Sequence, residues 1–586
     1  MISDYLQNLF ADMEHSIMYH LLRGLLFLVI TAALLCGYAI TQFRGLRDAD
    51  AMEYAQLGRQ IATGQGMTTQ CLRPVDIWFM QQHNKQPDLQ RFPDLRHMPL
   101  YPVVAGWGMK HLSPLFDFET PFAIFPAEAQ IIVPLGIFFI ILTGLFVFLA
   151  ARRLFDDRIA GLATLCFFAA DLVLQTAISG GPLPMLMFLI TAGAYAAIVA
   201  AQAWEDSRNS AGWISFIGAA ILGGAACLTS YAAIIPVIAI GLFAAAHANK
   251  GRAAMAGLFL LTVLIMVMPW MVRNSRTCGS PFGLAPASLL HNTFLYPDRS
   301  FERTLTPDLQ PQRVSMAIRQ KFTDGIMSIS SKGSPAPGPG LLFCFFIASF
   351  FTRFETLHAS RFRWAVGGSV ILLFAGGILF SNADMLNIML PFCLIYGAAF
   401  LFTLIAKTDY PDMAWPPVLV GLVVVLTAVP LAGRLLGPKA SLPYPPYYPP
   451  FITHAAQFMT GKEILCTDMP WATAWYGGRT SLLLPKTTDD VQTLRAAGMP
   501  VAGIYLTPET SNLPYAFTLA AGANRDWFAL VNGRVPTEFP FRHGLSFPPG
   551  SHDQILLTDR ARWQAPAATN DLAESTDPSL IIRPTP

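Results

Sequence analysis

Long apolar runs separated by short polar turns fill the chain as far as residue 436, and beyond it the rhythm changes. The runs lie at about 21–40, 129–150, 159–178, 183–203, 212–229, 231–248, 253–270, 340–352, 365–381, 386–406 and 415–436. A helix needs roughly 20 apolar residues to cross a bilayer core. The pattern therefore predicts about eleven transmembrane helices, with the 340–352 run short enough to need extension or tilt. Three polar stretches, 41–128, 271–339 and 437–586, stand between or after these runs. Within the last, SLPYPPYYPP (441–450) reads as a semi-rigid extended linker occupying 437–450. KEILCTDMP, TSLLLP and VAGIYLTPE then read as strands, and TDDVQTLRAAG as an amphipathic helix. The expected fold class is an α-helical polytopic membrane protein with a C-terminal outer α/β domain at 451–565 and a loose polar tail at 566–586.

Composition strengthens this picture. Of 586 residues, 53% are hydrophobic and 13% charged, with a mean hydropathy of +0.45, too little charge for a water-soluble surface of this size. The first twenty residues carry Asp4, Asp12 and Glu14 instead of a basic leader, so residues 1–20 read as a cytoplasmic segment before an uncleaved signal anchor. Arg152, Arg153 and Arg158, then Lys250 and Arg252, then Arg353, Arg361 and Arg363 fall in alternate short loops, whereas the turns near 179–182, 230 and 382–385 have no Lys or Arg. The positive-inside rule puts the basic set in the cytoplasm, the N-terminus inside and the C-terminal domain outside. All three long polar stretches then share the outer face. A transporter tends to have short loops on both sides, so this asymmetry favours chemistry at the outer surface. A net charge of +2, with its basic residues dispersed, argues against a nucleic-acid partner. The eight cysteines show no CxxC spacing and no zinc-type Cys/His set.

The first outer stretch opens with GLRDADAMEYAQLGRQIATGQG, which places Asp48, Asp50 and Glu53 at a helix start near the membrane surface. Two readings stand. Asp50 with Glu53 three residues on fits a capping box, and Asp48 serves equally as a cap. Alternatively one carboxylate is a general base at the membrane–water boundary, where partial desolvation raises its pKa. They are compatible if Asp48 caps and Asp50 acts. Asp171, in FFAADLVLQTAISGG, is an ionisable residue within an apolar run, which suits either a cavity wall or a solvated helix end.

DADAMEYAQLGRQIATGQG, then RFPDLRHMPLYPVVAGW (91–107), then MPWMVRNSRTCGSPFG (268–283) together resemble the GT-C glycosyltransferases, in particular the bacterial family 39 and protein-mannosyltransferase-like group. The likeness covers roughly residues 20–435, and TDMPWATAWYGGRTSLLLP (467–485) resembles the outer domain that trails some bacterial members. It implies an integral-membrane glycosyltransferase that moves a sugar from a polyprenyl-phosphate carrier to an acceptor hydroxyl, with inversion. The acceptor would be a glycolipid, a polysaccharide or a protein. The general base aligns with Asp50, and Asp48 is the runner-up.

A departing phosphate calls for cations, and Arg binds it with a planar fork. Arg273 is the first candidate for the donor phosphate, with Arg96 and His97 next and Arg91 and Arg59 weaker. Glu53, Tyr54, Tyr101 and Asp171 are expected to line the cavity. No cofactor is called for. Asp48, Asp50, Glu53 and His97 are hard or borderline ligands compatible with a divalent metal, but their spacing matches no metal motif. The chain departs from the family in three places. The turn SGGPLP (179–184) lacks an acidic residue, Ser230 stands where Arg is common, and Asp384 stands where an Arg–Tyr pair often sits. The competing readings are a transporter or flippase for a lipid-linked intermediate, and an inactive relative acting as a membrane scaffold.

Overall fold

All eleven apolar runs are helical in the computed structural model, which describes residues 17–83, 85–86, 88–112, 122–248, 251–332, 339–407, 415–511, 525–531, 534–535, 539–547 and 554–563. Most of the expected cytoplasmic segment and the whole 566–586 tail lie outside those residues. Helix α1 (Ile17–Gln42) leads into the first of the three stretches expected on the outer face, built from α2 (Ala49–Ala62), α3 (Pro74–Gln82) and α4 (Leu100–Leu112) with the short strands β1 (Thr68–Thr69), β2 (Cys71–Leu72) and β3 (Phe92–Pro93). A π-helical turn, Glu128–Ile132, then opens α5 (Val133–Leu154). The bundle continues through α6 (Asp157–Ala169), α7 (Asp171–Ala177), α8 (Leu183–Glu205), α9 (Asn209–Cys227), α10 (Ile234–Ala246) and α11 (Arg252–Cys278). After the polar helix α12 (Pro311–Lys332) it closes with α13 (Gly340–Ser349), α14 (Leu357–Phe380), α15 (Leu390–Ala406) and α16 (Trp415–Leu436).

Among the described residues, eight helices are long and apolar enough to span a membrane, and α6 with α7 forms a ninth that bends by 63°. Tyr231–Ala246 and Gly340–Ser349 are shorter apolar helices. Burial separates the inner from the outer helices. The apolar window of α8 is 72% buried and that of Asp384–Ala406 is 78% buried, against 17% for α1, α11 and α16. The small residues of α8 (Ala192, Gly193, Ala194, Ala197, Ala200, Ala201) let neighbouring helices approach closely. The rim helices turn Leu26, Ile30, Ile265, Val425 and Val429 outward, as a lipid-facing surface requires.

Past the linker come α17 (Pro449–Gln457), β4 (Ile464–Thr467), α18 (Pro470–Gly477), β5 (Ser481–Leu483), α19 (Thr488–Ala496), β6 (Val501–Leu506), β7 (His543–Phe547) and β8 (Gln554–Thr558). The sheet order is β2-β5-β4-β6-β8-β7, parallel from β2 to β6 and antiparallel beyond it. One edge is thus supplied by the first outer stretch, more than 390 residues upstream, with Cys71 opposite Ser481 and Leu72 opposite Leu482. Their hydrophobic core is also shared: Leu72, Ile77, Met80, Phe92 and Leu95 pack with Ile464, Cys466, Leu482 and Ile504. The unit expected at 451–565 is therefore continuous with the first outer stretch. All eight cysteines are free thiols.

Candidate functional site

Helix α2 begins at Ala49, and its cap is Asp48, whose extended backbone and side-chain oxygen, 3.3 Å from the Asp50 amide, satisfy an otherwise orphan donor. Asp50 therefore sits in the first turn, where the helix dipole favours a negative charge. Glu53 does not reach back to complete a capping box. It is buried and turns inward to the Arg73 guanidinium. Asp48 is open to water on one side, yet the protein around it and the Asp50 charge raise its carboxyl above the usual range.

Glu53 belongs to a buried ionic network. Arg73 bridges Glu53 and Glu302, its Nε 3.1 Å from Glu302 Oε2. Arg96 grips Asp76 through Nη2 (2.6 Å) and Nε (3.1 Å) and reaches Glu302 Oε1 at 2.7 Å. His97 Nδ1 is 2.9 Å from Asp94 Oδ1, and its Nε2 is 3.7 Å from Glu53. Burial raises the Glu302 carboxyl, but Arg73 and Arg96 outweigh it and hold the group well below the carboxylate range. Burial pulls the His97 imidazolium down. The Asp94 charge and hydrogen bond, with Glu53 and Asp50 behind them, overcome that and raise its pKa to about 9. Arg73 and Glu302 carry no spacing signal, because they come from separate outer stretches joined only in the fold.

Arg273 lies just under one turn beyond the apolar core of α11. It is bonded to the Asp94 carbonyl, with Nη1 3.0 Å from Asn274 Oδ1 and Nη2 3.3 Å from the Met67 carbonyl, and it covers the Trp270 ring at 4.5 Å. It thereby pins the antiparallel β1–β3 ribbon to the end of α11. The glycines of the same motif close that end. Gly279 caps α11 at φ +77°, and Gly283, at φ +60°, lies so close to the first outer stretch that a Cβ would meet the Leu95 carbonyl oxygen at 2.2 Å.

Tyr54 stacks edge-on against His97 (4.6 Å) and Tyr101 (5.6 Å), and Tyr101 donates to the Gly180 carbonyl at 2.9 Å. The SGGPLP turn is thus held by a backbone contact. Asp171 occupies the bend between α6 and α7, where Tyr38 (2.9 Å), Gln175 (2.6 Å) and Arg434 (2.7 Å) all meet it. Ser230 caps the turn before α10, and Asp384 accepts from Asn387 at 3.1 Å. Arg59 donates to the Trp475 and Ala474 carbonyls, and Arg91 to Gln65. Asp48, Asp50, Glu53 and His97 do not bring ligand atoms of three side chains within 4.8 Å of one another.

Two charged groups stand apart from these pairings. The exposed Asp50 carboxylate has no hydrogen-bond or ion-pair partner among the described residues. Nor has the Arg299 guanidinium, which lies over the Trp471 ring at 5.5 Å. Arg299 is within electrostatic range of both carboxylates: the Asp50 charge acts on Arg299, and the Arg299 charge acts on Asp48. Burial lowers the Arg299 pKa, but Glu302, Asp50 and Glu53 raise it above its usual value. The sequence signal that was available is YPDRSFER (296–303), a charged knot in the second outer stretch. Trp471 comes from α18, so the Asp50 carboxylate, the Arg299 guanidinium and the Trp471 ring derive from three separate polar stretches of the chain.

No protein-family model matches the sequence, and no curated protein does. Solved structures do. ArnT from Cupriavidus metallidurans in the apo state aligns with a TM-score of 0.53 at 14% identity, over 93% of this chain and 99% of that one. The same protein bound to undecaprenyl phosphate gives 0.51 at 13% identity, with the same coverage of 93% and 99%. Archaeal oligosaccharyltransferase AglB from Archaeoglobus fulgidus, in complex with an inhibitory peptide and a dolichol-phosphate, gives 0.55 at 12% identity, over 93% of this chain and 75% of that one. The chain is a multi-pass helical membrane protein with the GT-C fold.

Proposed function

We propose that this GT-C-fold chain is a glycosyltransferase that uses a polyprenyl-phosphate sugar at the outer face of the membrane, with Asp50 as general base. The observation that carries this reading is an unpartnered carboxylate within electrostatic range of an unpartnered guanidinium, beside a buried network in which the other charges have already found partners. Two of the solved neighbours are seen with undecaprenyl phosphate and dolichol-phosphate, which matches the donor class.

In the proposed step Asp50 takes the proton of the acceptor hydroxyl as its oxygen attacks the anomeric carbon from the face opposite the phosphate. The bond from the anomeric carbon to the phosphate oxygen breaks, its electron pair leaves with the polyprenyl phosphate, and the sugar inverts. Phosphate is already a capable leaving group, so the protein supplies a base, an orientation and a cation for the developing charge. The cation is Arg299. Arg96 is engaged by Asp76 and Glu302, His97 by Asp94, and Arg273 by the Asp94 and Met67 carbonyls. Those three hold the walls of the site, along with Glu53, Tyr54 and Tyr101.

The test is transfer by purified protein in liposomes, with radiolabelled undecaprenyl-phosphate sugars as donors and a membrane extract as acceptor. Asp50 is exposed and lies inside the first turn while Asp48 keeps the cap, and Asn matches Asp in size, so Asp50→Asn should lower transfer about 10²–10⁴-fold while costing no more than about 1 kcal/mol in stability through the lost dipole interaction. Arg299→Ala should lower it about 10²-fold. Wild-type rates in Asp50→Asn would remove Asp50 as the base. No transfer by the wild type with any of the donors would move the flippase reading ahead.

A further inference from the structure

Three helix ends meet at the side of the bundle away from the carboxylate site. Glu205 is the last residue of α8, His247 follows α10 directly, and His358 lies in the first turn of α14. Helix α8 starts beside the Gly180 turn held by Tyr101, and its 23 residues then run about 34 Å at the helical rise per residue. This cluster has no part in the proposed transfer.

His247 and His358 are only 7% and 6% exposed, with ring centroids 4.7 Å apart. Nδ1 of His247 is 2.9 Å from the Phe243 carbonyl oxygen, which fixes the proton on that nitrogen and leaves Nε2 a bare lone pair. That Nε2 has no partner, and neither has Nδ1 of His358. His358 uses its other nitrogen, 2.7 Å from Glu205 Oε2. A hydrogen-bonded structural pair accounts for the Glu205 contact but leaves two buried imidazole nitrogens orphaned, and such groups are costly. One ligand atom from each of the three side chains lies within 4.8 Å of the others.

We propose that Glu205, His247 and His358 form a binding site for a divalent cation of the zinc class, which staples the ends of α8, α10 and α14 together. Two imidazole nitrogens and one carboxylate oxygen, with no thiolate, are a ligand set that zinc accepts, with a fourth position left for water. Zinc–ligand bonds of about 2.0–2.2 Å put tetrahedral ligand atoms roughly 3.4 Å apart, so a modest closure completes the site. The Glu205 side chain is 50% exposed, so it can make that movement and gives the ion a route from water. The carbonyl of Phe243 already orients His247 as the outer partner of a metal-bound imidazole does.

The test uses the full-length protein, purified in detergent without a polyhistidine tag, stripped with chelator and dialysed against zinc. Elemental analysis should find one zinc retained per chain. Cobalt should give the intense visible absorption of a four-coordinate site, and zinc should raise the thermal midpoint. His247→Gln and Glu205→Gln should each abolish retention and the thermal shift. Glu205 is at the exposed rim, so its variant decides the matter if His247→Gln folds poorly. No stoichiometric zinc in the wild type, or equal retention in Glu205→Gln and wild type, would overturn the proposal. None of these three readouts depends on sugar transfer.

Discussion

His97 lies 2.9 Å from Asp94 and 3.7 Å from Glu53, and burial by itself would favour its neutral form. Its neighbours reverse that, so the folded protein binds a proton with a pKa of about 9 where the unfolded chain has the ordinary histidine value. A group raised in this way stabilises the fold fully below the unfolded pKa of about 6.5. That contribution disappears as pH rises through the folded value near 9. The melting point of the wild type should therefore fall between these two pH values, and His97→Gln should remove most of that slope in a thermal-shift series. At this scale the sequence was informative about residue types. The first outer stretch carries the acidic candidates, and Asp48 caps as that position allows. Which carboxylate stays free was illegible, because Glu53 finds Arg73 and Arg73 finds Glu302 only after distant segments meet.

Between elements, Glu128 ties the bundle to the outer sheet. It sits in the π-helical turn that opens α5, fully buried, and accepts from the Trp475 indole at 2.8 Å and from the Leu46 amide at 3.2 Å. Leu46 is two residues before the Asp48 cap, so this carboxylate sets where α2 begins. Replacement by Gln would aim an amide donor at one of two donors. Glu128→Gln should therefore cost about 1–3 kcal/mol in stability and lower transfer through the displaced α2, as read by chemical denaturation and the liposome assay. Periodicity located the apolar helices well, since a bilayer demands long apolar runs regardless of partners. It missed the bend within 159–178 and the two turns that α11 adds past residue 270. Both depend on neighbours: Tyr38 and Arg434 on Asp171 at the bend, and the Met67 and Asp94 carbonyls on Arg273.

In the molecule as a whole, the six-stranded sheet joins the first long polar stretch to the C-terminal domain. Cys71 and Leu72 form its edge strand, and Arg303 from the second outer stretch donates to the Leu484 and Pro485 carbonyls at 2.7 and 2.9 Å. Trp471, on α18, faces Arg299. A chain ending at residue 440 should consequently lose more than a lid. Leu72, Ile77 and Leu95 would be left without their core, and transfer should vanish along with a large drop in the melting point, measured against the full-length protein in the same detergent. The sequence by itself determined the membrane class, the positions of the apolar helices and the three long polar stretches between and after them, because these follow from local hydropathy and turn chemistry. Only the tertiary structure decided that the C-terminal sheet includes β2, that Arg73 and Arg96 neutralise Glu53, Asp76 and Glu302, and that Asp50 and Arg299 remain free beside them. Each of those outcomes rests on residues hundreds of positions apart finding one another in a desolvated space, where an ion must find a counter-ion or pay the full cost of burial.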